Sequence, residues 1–260
     1  MLKRVKEFIQ NFDKKTILVY FILRLLVILV TVVQILNHNW EVVFLCFLTL
    51  VLFLIPLIID KRLKIDLPTP LEITILLFIF AAEILGEIRN FYSIFPHWDL
   101  ILHTINGFLC AAIGFSLIDI LNKSEKLHIT LTPIFVAITA FCFSMTIGVL
   151  WEFFEYSGDK LLNFDMQKDK VVNGISSVEF NPYKENDAVI IENIDKTIIY
   201  YDDQTLTIEN GYLDIGLNDT MKDLFVNFAG AFCFSIIGYL YIKNRDKYKA
   251  IEGFIPRKRK

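Results

Sequence analysis

Apolar residues dominate six stretches of the chain, Thr16 to Leu36, Glu41 to Ile59, Leu71 to Ile88, Asp99 to Leu121, Ile129 to Tyr156 and Asp219 to Ile242. A helix needs about 20 mostly apolar residues to cross the hydrocarbon core of a bilayer, so the pattern predicts six transmembrane helices. The first stretch follows the charged segment MLKRVKEFIQNFDKK. It is too long for a signal-peptide core and has no small-residue cleavage site, which predicts that it stays as the first span.

Between the fifth and sixth stretches the pattern changes period. VIIENIDKTIIYY and TLTIEN alternate apolar and polar positions, and Asn-Pro, Asp-Asp and Asn-Gly punctuate them. This predicts two or three short strands forming a small β cap.

Lys and Arg fix the expected orientation. The segment before the first span, the second and fourth loops and the tail hold eighteen of them, whereas the first loop has none, the third only Arg89, and the long fifth loop five Lys. Both termini are therefore expected in the cytoplasm. The fold class that follows is an all-α polytopic membrane protein of six helices with an extracytoplasmic β-rich insertion. Its parts are a basic segment at 1–15, helices one to five over 16–158, the insertion at 159–218, helix six over 219–242 and a basic tail at 243–260.

Composition agrees: 55% of residues are hydrophobic, 24 of the 260 are Phe, and mean hydropathy is +0.51, which places the chain in the membrane class. Cys46, Cys110, Cys142 and Cys233 all fall in predicted spans without a C-x-x-C pairing, so they read as small packing residues. The tail sequence IPRKRK reads as a topology anchor that binds anionic lipid. Nothing points to nucleic acid; membrane lipid is the expected partner.

Ionisable residues gather near one end of four spans. Glu83 and Glu87 close the third, Asp99 and His103 open the fourth, Glu152 and Glu155 close the fifth, and Asp219 and Asp223 open the sixth. Each set follows one helical stripe: Asp99, His103 and Asn106 at i, i+4, i+7; Asp219, Asp223 and Asn227 at i, i+4, i+8; Glu152 and Glu155 at i, i+3 with Gly148 and Asp159 on the same side. A charge deep in a span costs on the order of 3 kcal/mol, so such groups face the bundle interior and mark functional paths. The bland reading is a set of helix-terminal acids: Asp99 and Asp219 suit first-turn positions that complement the helix dipole. Four helices sharing one face favours a common outward-facing pocket.

Gly107, Gly114, Gly148 and Gly230, with Ala229 and Ala231, would allow close helix approach. Arg24 lies inside the first span, where it either pairs with an acid or snorkels. His38, His97 and His128 fall in loops, and His97 adjoins Trp98 and Asp99.

So many acids around one imidazole require shared protons, a divalent metal or a cationic ligand. Asp99 with His103 forms a candidate general acid–base pair, with Asp223 the third catalytic candidate. Candidate metal ligands are Glu152, Glu155, Asp219, Asp223 and His103, an oxygen-rich set that suits Mg²⁺, Mn²⁺ or Ca²⁺, with Zn²⁺ as an alternative. Glu83, Glu87, Asn106, Trp151 and Asn227 would complete the lining, and Trp98, Trp151 and nearby Phe residues would accept an amphipathic or lipid-linked substrate. H-E-x-x-H, P-loop and G-x-S-x-G signatures are absent.

HWDLILHTINGF, GVLWEFFEY and GYLDIGLNDTMKDLFVNFAGA resemble the blocks of the YjdF-like family of bacterial inner-membrane proteins, itself similar to the VanZ-like proteins. The resemblance covers about residues 80 to 240 and implies a shared architecture and a candidate site at Asp99, His103, Glu152, Glu155, Asp219, Asp223, Asn227 and Gly230. It implies no reaction, although VanZ-like proteins are associated with glycopeptide resistance. Three functions stay open: a metal-assisted enzyme on an envelope lipid or lipid-linked substrate, a proton- or cation-coupled transporter, and a non-catalytic sensor, partner subunit or resistance factor.

Overall fold

The computed structural model describes residues 14–63, 65–122 and 131–258. The basic residues before Lys14, the Lys123 and Lys126 loop with His128, and Arg259 and Lys260 lie outside them. Helix dominates: α1 (Lys14–Leu36), α2 (Trp40–Leu52), α3 (Ile55–Leu63), α4 (Thr69–Phe80), a π-helix (Ala81–Ile88), α5 (Phe91–Ile94), α6 (Trp98–Asn122), α7 (Pro133–Leu162) and α8 (Leu217–Lys243).

Five helices among the described residues are long and apolar enough to cross a membrane: Lys14–Leu36, Trp40–Ile59, Trp98–Asn122, Pro133–Leu162 and Leu217–Lys243. The predicted third span differs. Leu71–Ile88 is helical throughout, but its hydrogen bonding changes from α to π at Ala81, so no single long α-helix forms. Arg89 N–H closes the segment on the Ile84 carbonyl at 3.0 Å, five residues back. Short π segments of this kind are uncommon and tend to occur at functional sites.

The chain divides into two compact units, one of residues 1–149 with 223–260, the other of residues 150–222. The first contains two apolar cores. One gathers Tyr20, Leu23 and Val27 of α1, Cys46 and Phe53, and Leu76, Ile79 and Ile84. The other gathers Ala111, Ala112 and Phe115 of α6, Val136 and Ala140 of α7, Ala231, Phe234 and Tyr241 of α8, and Ile255 of the tail. Alanines on three helices leave room for Phe115 and Phe234, whose rings meet edge to face 5.9 Å apart.

The tail is a packed part of the first unit. After α8 it forms a 3₁₀ turn (Lys249–Phe254), buries Ile255, and adds strand β8 (Arg257–Lys258) antiparallel to β1 (Ile65–Asp66). The Phe254 ring stands against Phe108 of α6 with centroids 5.7 Å apart. Such a docking is invisible to a span-by-span reading because each partner segment is only two residues long.

The second unit holds six short strands where two or three were expected. They pair as β2 (Lys170–Val172) with β7 (Tyr212–Asp214), β3 (Ile175–Ser177) with β4 (Val189–Ile191), and β5 (Lys196–Tyr201) with β6 (Gln204–Glu209), all antiparallel. The β5–β6 turn is Asp202-Asp203, both with positive φ (40° and 60°), the two-residue geometry whose twist matches the flanking strands. Three-residue strands carry too little alternation to stand out in a sequence.

Candidate functional site

The site in the first unit is built by the start of α6 and by the stretch of α8 from Asp223 onward. The Trp98 indole N–H donates to the Ala81 carbonyl at 3.3 Å, and its ring meets Phe91 edge to face at 5.0 Å, fixing how α6 begins. Asp99 then sits in the first turn, where a carboxylate complements the helix dipole. His103, one turn deeper, is buried.

Small residues bring the helices into contact. A Cβ on Gly107 would overlap the Asn227 carbonyl, and one on Gly230 would overlap that of Thr104, so α6 and α8 cross with backbones touching. A Cβ at Gly148 of α7 would stand 2.6 Å from the Asn227 amide nitrogen. Ser144 Oγ donates to the Gly107 carbonyl at 2.8 Å and ties α7 to α6 at the same level.

This packing places Asp99, His103 and Asp223 together. Each offers one ligating atom, and those atoms all lie within 4.8 Å of one another. His103 Nε2 is 3.5 Å from Asp99 Oδ1. Asp223 is 1% exposed and Asn227, below it on the same stripe, fully buried. Asn106 Nδ2 donates to Asn227 Oδ1 at 3.4 Å and closes the base of the cluster with a neutral pair. One imidazole and two carboxylates suit a divalent cation, and metal–ligand bonds of about 2.0–2.4 Å would need only a small inward movement of the three atoms.

Asp219 belongs to the second unit: its Oδ2 accepts from the Lys168 backbone N–H at 2.9 Å and its Oδ1 pairs with Lys170 Nζ at 2.5 Å, so it holds the β insertion to the start of α8. Glu152 and Glu155 are both buried, and the Trp151 indole donates to Glu155 Oε1 at 2.7 Å while its ring remains exposed. Asp159 accepts the backbone N–H groups of Met166 (2.6 Å) and Gln167 (2.9 Å), a structural clasp where the chain turns back after α7. Glu83 is half-buried on the π-helix and Glu87 exposed; His97 is exposed. Arg24 is half-buried over the Tyr20 ring, 5.0 Å from its centroid.

The sequence reading passed over Ser144, although it precedes Gly148 by four positions on the stripe that carries Glu152. It also missed the pairing of buried Asp119 with Arg245, 3.1 Å apart.

Residues 17–244 match the family described as "Predicted membrane protein (DUF2238)". This chain belongs to that family. A Thermotoga maritima relative, described as an uncharacterised protein, is 27% identical over 114 residues, which is 44% of this chain. The matched region spans 57% of that relative's length. No solved structure matches.

Proposed function

We propose that this family member is a six-span protein of the bacterial cytoplasmic membrane, both termini inside, whose outward-facing Asp99–His103–Asp223 site binds a divalent metal and acts on an envelope lipid or lipid-linked substrate. The observation that carries the reading is the approach of ligating atoms from two carboxylates and one imidazole to within 4.8 Å of one another, in helices long and apolar enough to cross a membrane. Carboxylates are retained in such surroundings where a charge or a proton partner rewards them. Asp99, His103 and Asp223 would hold the metal, which would supply Lewis-acid chemistry and leave positions open to water or substrate. The resemblance to YjdF-like and VanZ-like proteins is consistent with an envelope role.

Elemental analysis of the purified protein tests this. About one equivalent of metal per chain is expected in the wild type, with loss in His103→Ala and Asp223→Asn variants that remain folded. A folded wild-type protein that contains no metal, and whose melting temperature does not respond to Mg²⁺, Mn²⁺ or Zn²⁺, would refute metal assistance.

A cation-coupled transporter is the second reading. It is favoured by Glu72, which lies in the first turn of α4 and is 5% exposed. Uptake of a cation by reconstituted vesicles, abolished by Glu72→Gln, would decide for it.

A further inference from the structure

An apolar groove of about 350 Å³ runs between α7 and α8, walled by Ile134, Ile138 and Phe141 on one side and Phe228, Phe232 and Ile236 on the other. Its rim is open: Ile134, Ile138, Phe228, Phe232 and Ile236 are each 41–54% exposed, within helices long and apolar enough to cross a membrane. Phe228 and Phe232 stack nearly parallel, 5.8 Å apart, and the Phe141 ring meets Phe228 edge to face at 5.2 Å, which closes the deep end. Ser235 lies in the floor with its hydroxyl covered, so the groove presents hydrocarbon alone.

We infer that this groove holds one hydrocarbon chain of an anionic phospholipid, with the phosphate against Lys243. Three observations select that occupant. From Phe228 to Tyr239 the groove rises about 16 Å along α8, close to half of the ~30 Å hydrocarbon core, the depth of a single leaflet. Its volume of about 350 Å³ stands at the small end of ligand pockets, about 300–1,000 Å³, and its lining offers no polar surface, which suits a length of hydrocarbon chain and not a charged headgroup. At its shallow end Tyr239 lines the wall, and exposed Lys243, one turn further at the end of α8, lies over the Tyr239 ring with its Nζ 5.0 Å from the centroid. Lys247 adds a second exposed cation on the same tail. An apolar slot ending in cations is complementary to a chain ending in a phosphate.

Native mass spectrometry of the full chain, purified in detergent with phosphatidylglycerol or phosphatidylcholine, tests the inference. Phosphatidylglycerol should survive delipidation on the wild type. Ile138→Trp or Ile134→Trp, which block the groove from exposed positions, should retain about tenfold less. Lys243→Gln should lower the preference for phosphatidylglycerol over phosphatidylcholine about fivefold. Ile28→Trp, on the exposed face of α1, should behave as wild type. Unchanged retention in both blocking variants, or equal loss in Ile28→Trp, would mean lipid held only around the perimeter and would overturn the inference. A wild-type dimer that Ile138→Trp converts to monomer would overturn it in favour of a second copy of the chain. None of these readouts involves the Asp99–His103–Asp223 site.

Discussion

Gly107 decides how near α6 can come to α8, and with that whether Asp223 can reach His103. A methyl group there meets the Asn227 carbonyl, a backbone atom that cannot swing away. Gly107→Ala should therefore cost about the 1–3 kcal/mol typical of overpacking, read as a lowered melting temperature, and should weaken any metal retention. Gly174→Ala is the contrast: its Cβ would lie 3.5 Å from the Ile191 carbonyl, ordinary contact, and no comparable loss is expected. Individual residues were the most legible scale. His103, Asp223 and Asn227 stood out because a buried polar side chain in an apolar helix has few explanations. Ser144 did not, because a Ser in a span usually bonds its own helix, as Ser116 does to the Ala112 carbonyl at 2.7 Å.

Element ends come next. The chain leaves α7 through Asn163 in the left-handed region and is held by the two amides that Asp159 accepts. Hydrogen bonds to a charged group contribute about 1.5–3 kcal/mol, so Asp159→Ala should loosen residues 163–167, seen as faster amide exchange at Met166 and Gln167. Nearby, partial desolvation raises the pKa of the exposed Asp169 carboxyl above its ordinary range; Asp165, Asp159 and Asp214 push the same way, against the pull of Lys160. A raised pKa means that the folded state binds the proton more tightly than the unfolded chain does. Stability from this group thus falls as pH rises from the ordinary aspartate range through the raised value, and stays flat above it. Asp169→Asn should flatten that part of the melting-temperature profile. The lengths of α1, α6, α7 and α8 were readable from apolar runs. The π register of Ala81–Ile88 was not, since a one-residue change in hydrogen-bond spacing leaves the hydropathy pattern nearly intact.

Over the whole first unit, the tail acts as a packing element. Ile255, 2% exposed, belongs to the same core as Phe115 and Phe234. Ile255→Ala should cost about 2–5 kcal/mol in thermal unfolding, whereas a tail serving only as a charged anchor would leave the transition unmoved.

The sequence alone determined the membrane class, the main helices and the stripes along them, because burial of apolar length and the penalty on charge act residue by residue along one helix. Tertiary structure decided which acids meet. Asp99 and Asp223 converge on His103, while Asp219, one turn before Asp223, is taken by Lys170. The reason is that these choices rest on contacts such as Asn106 with Asn227, 121 positions apart, set by where glycines let backbones touch. No local pattern encodes which of several carboxylates a distant helix will face.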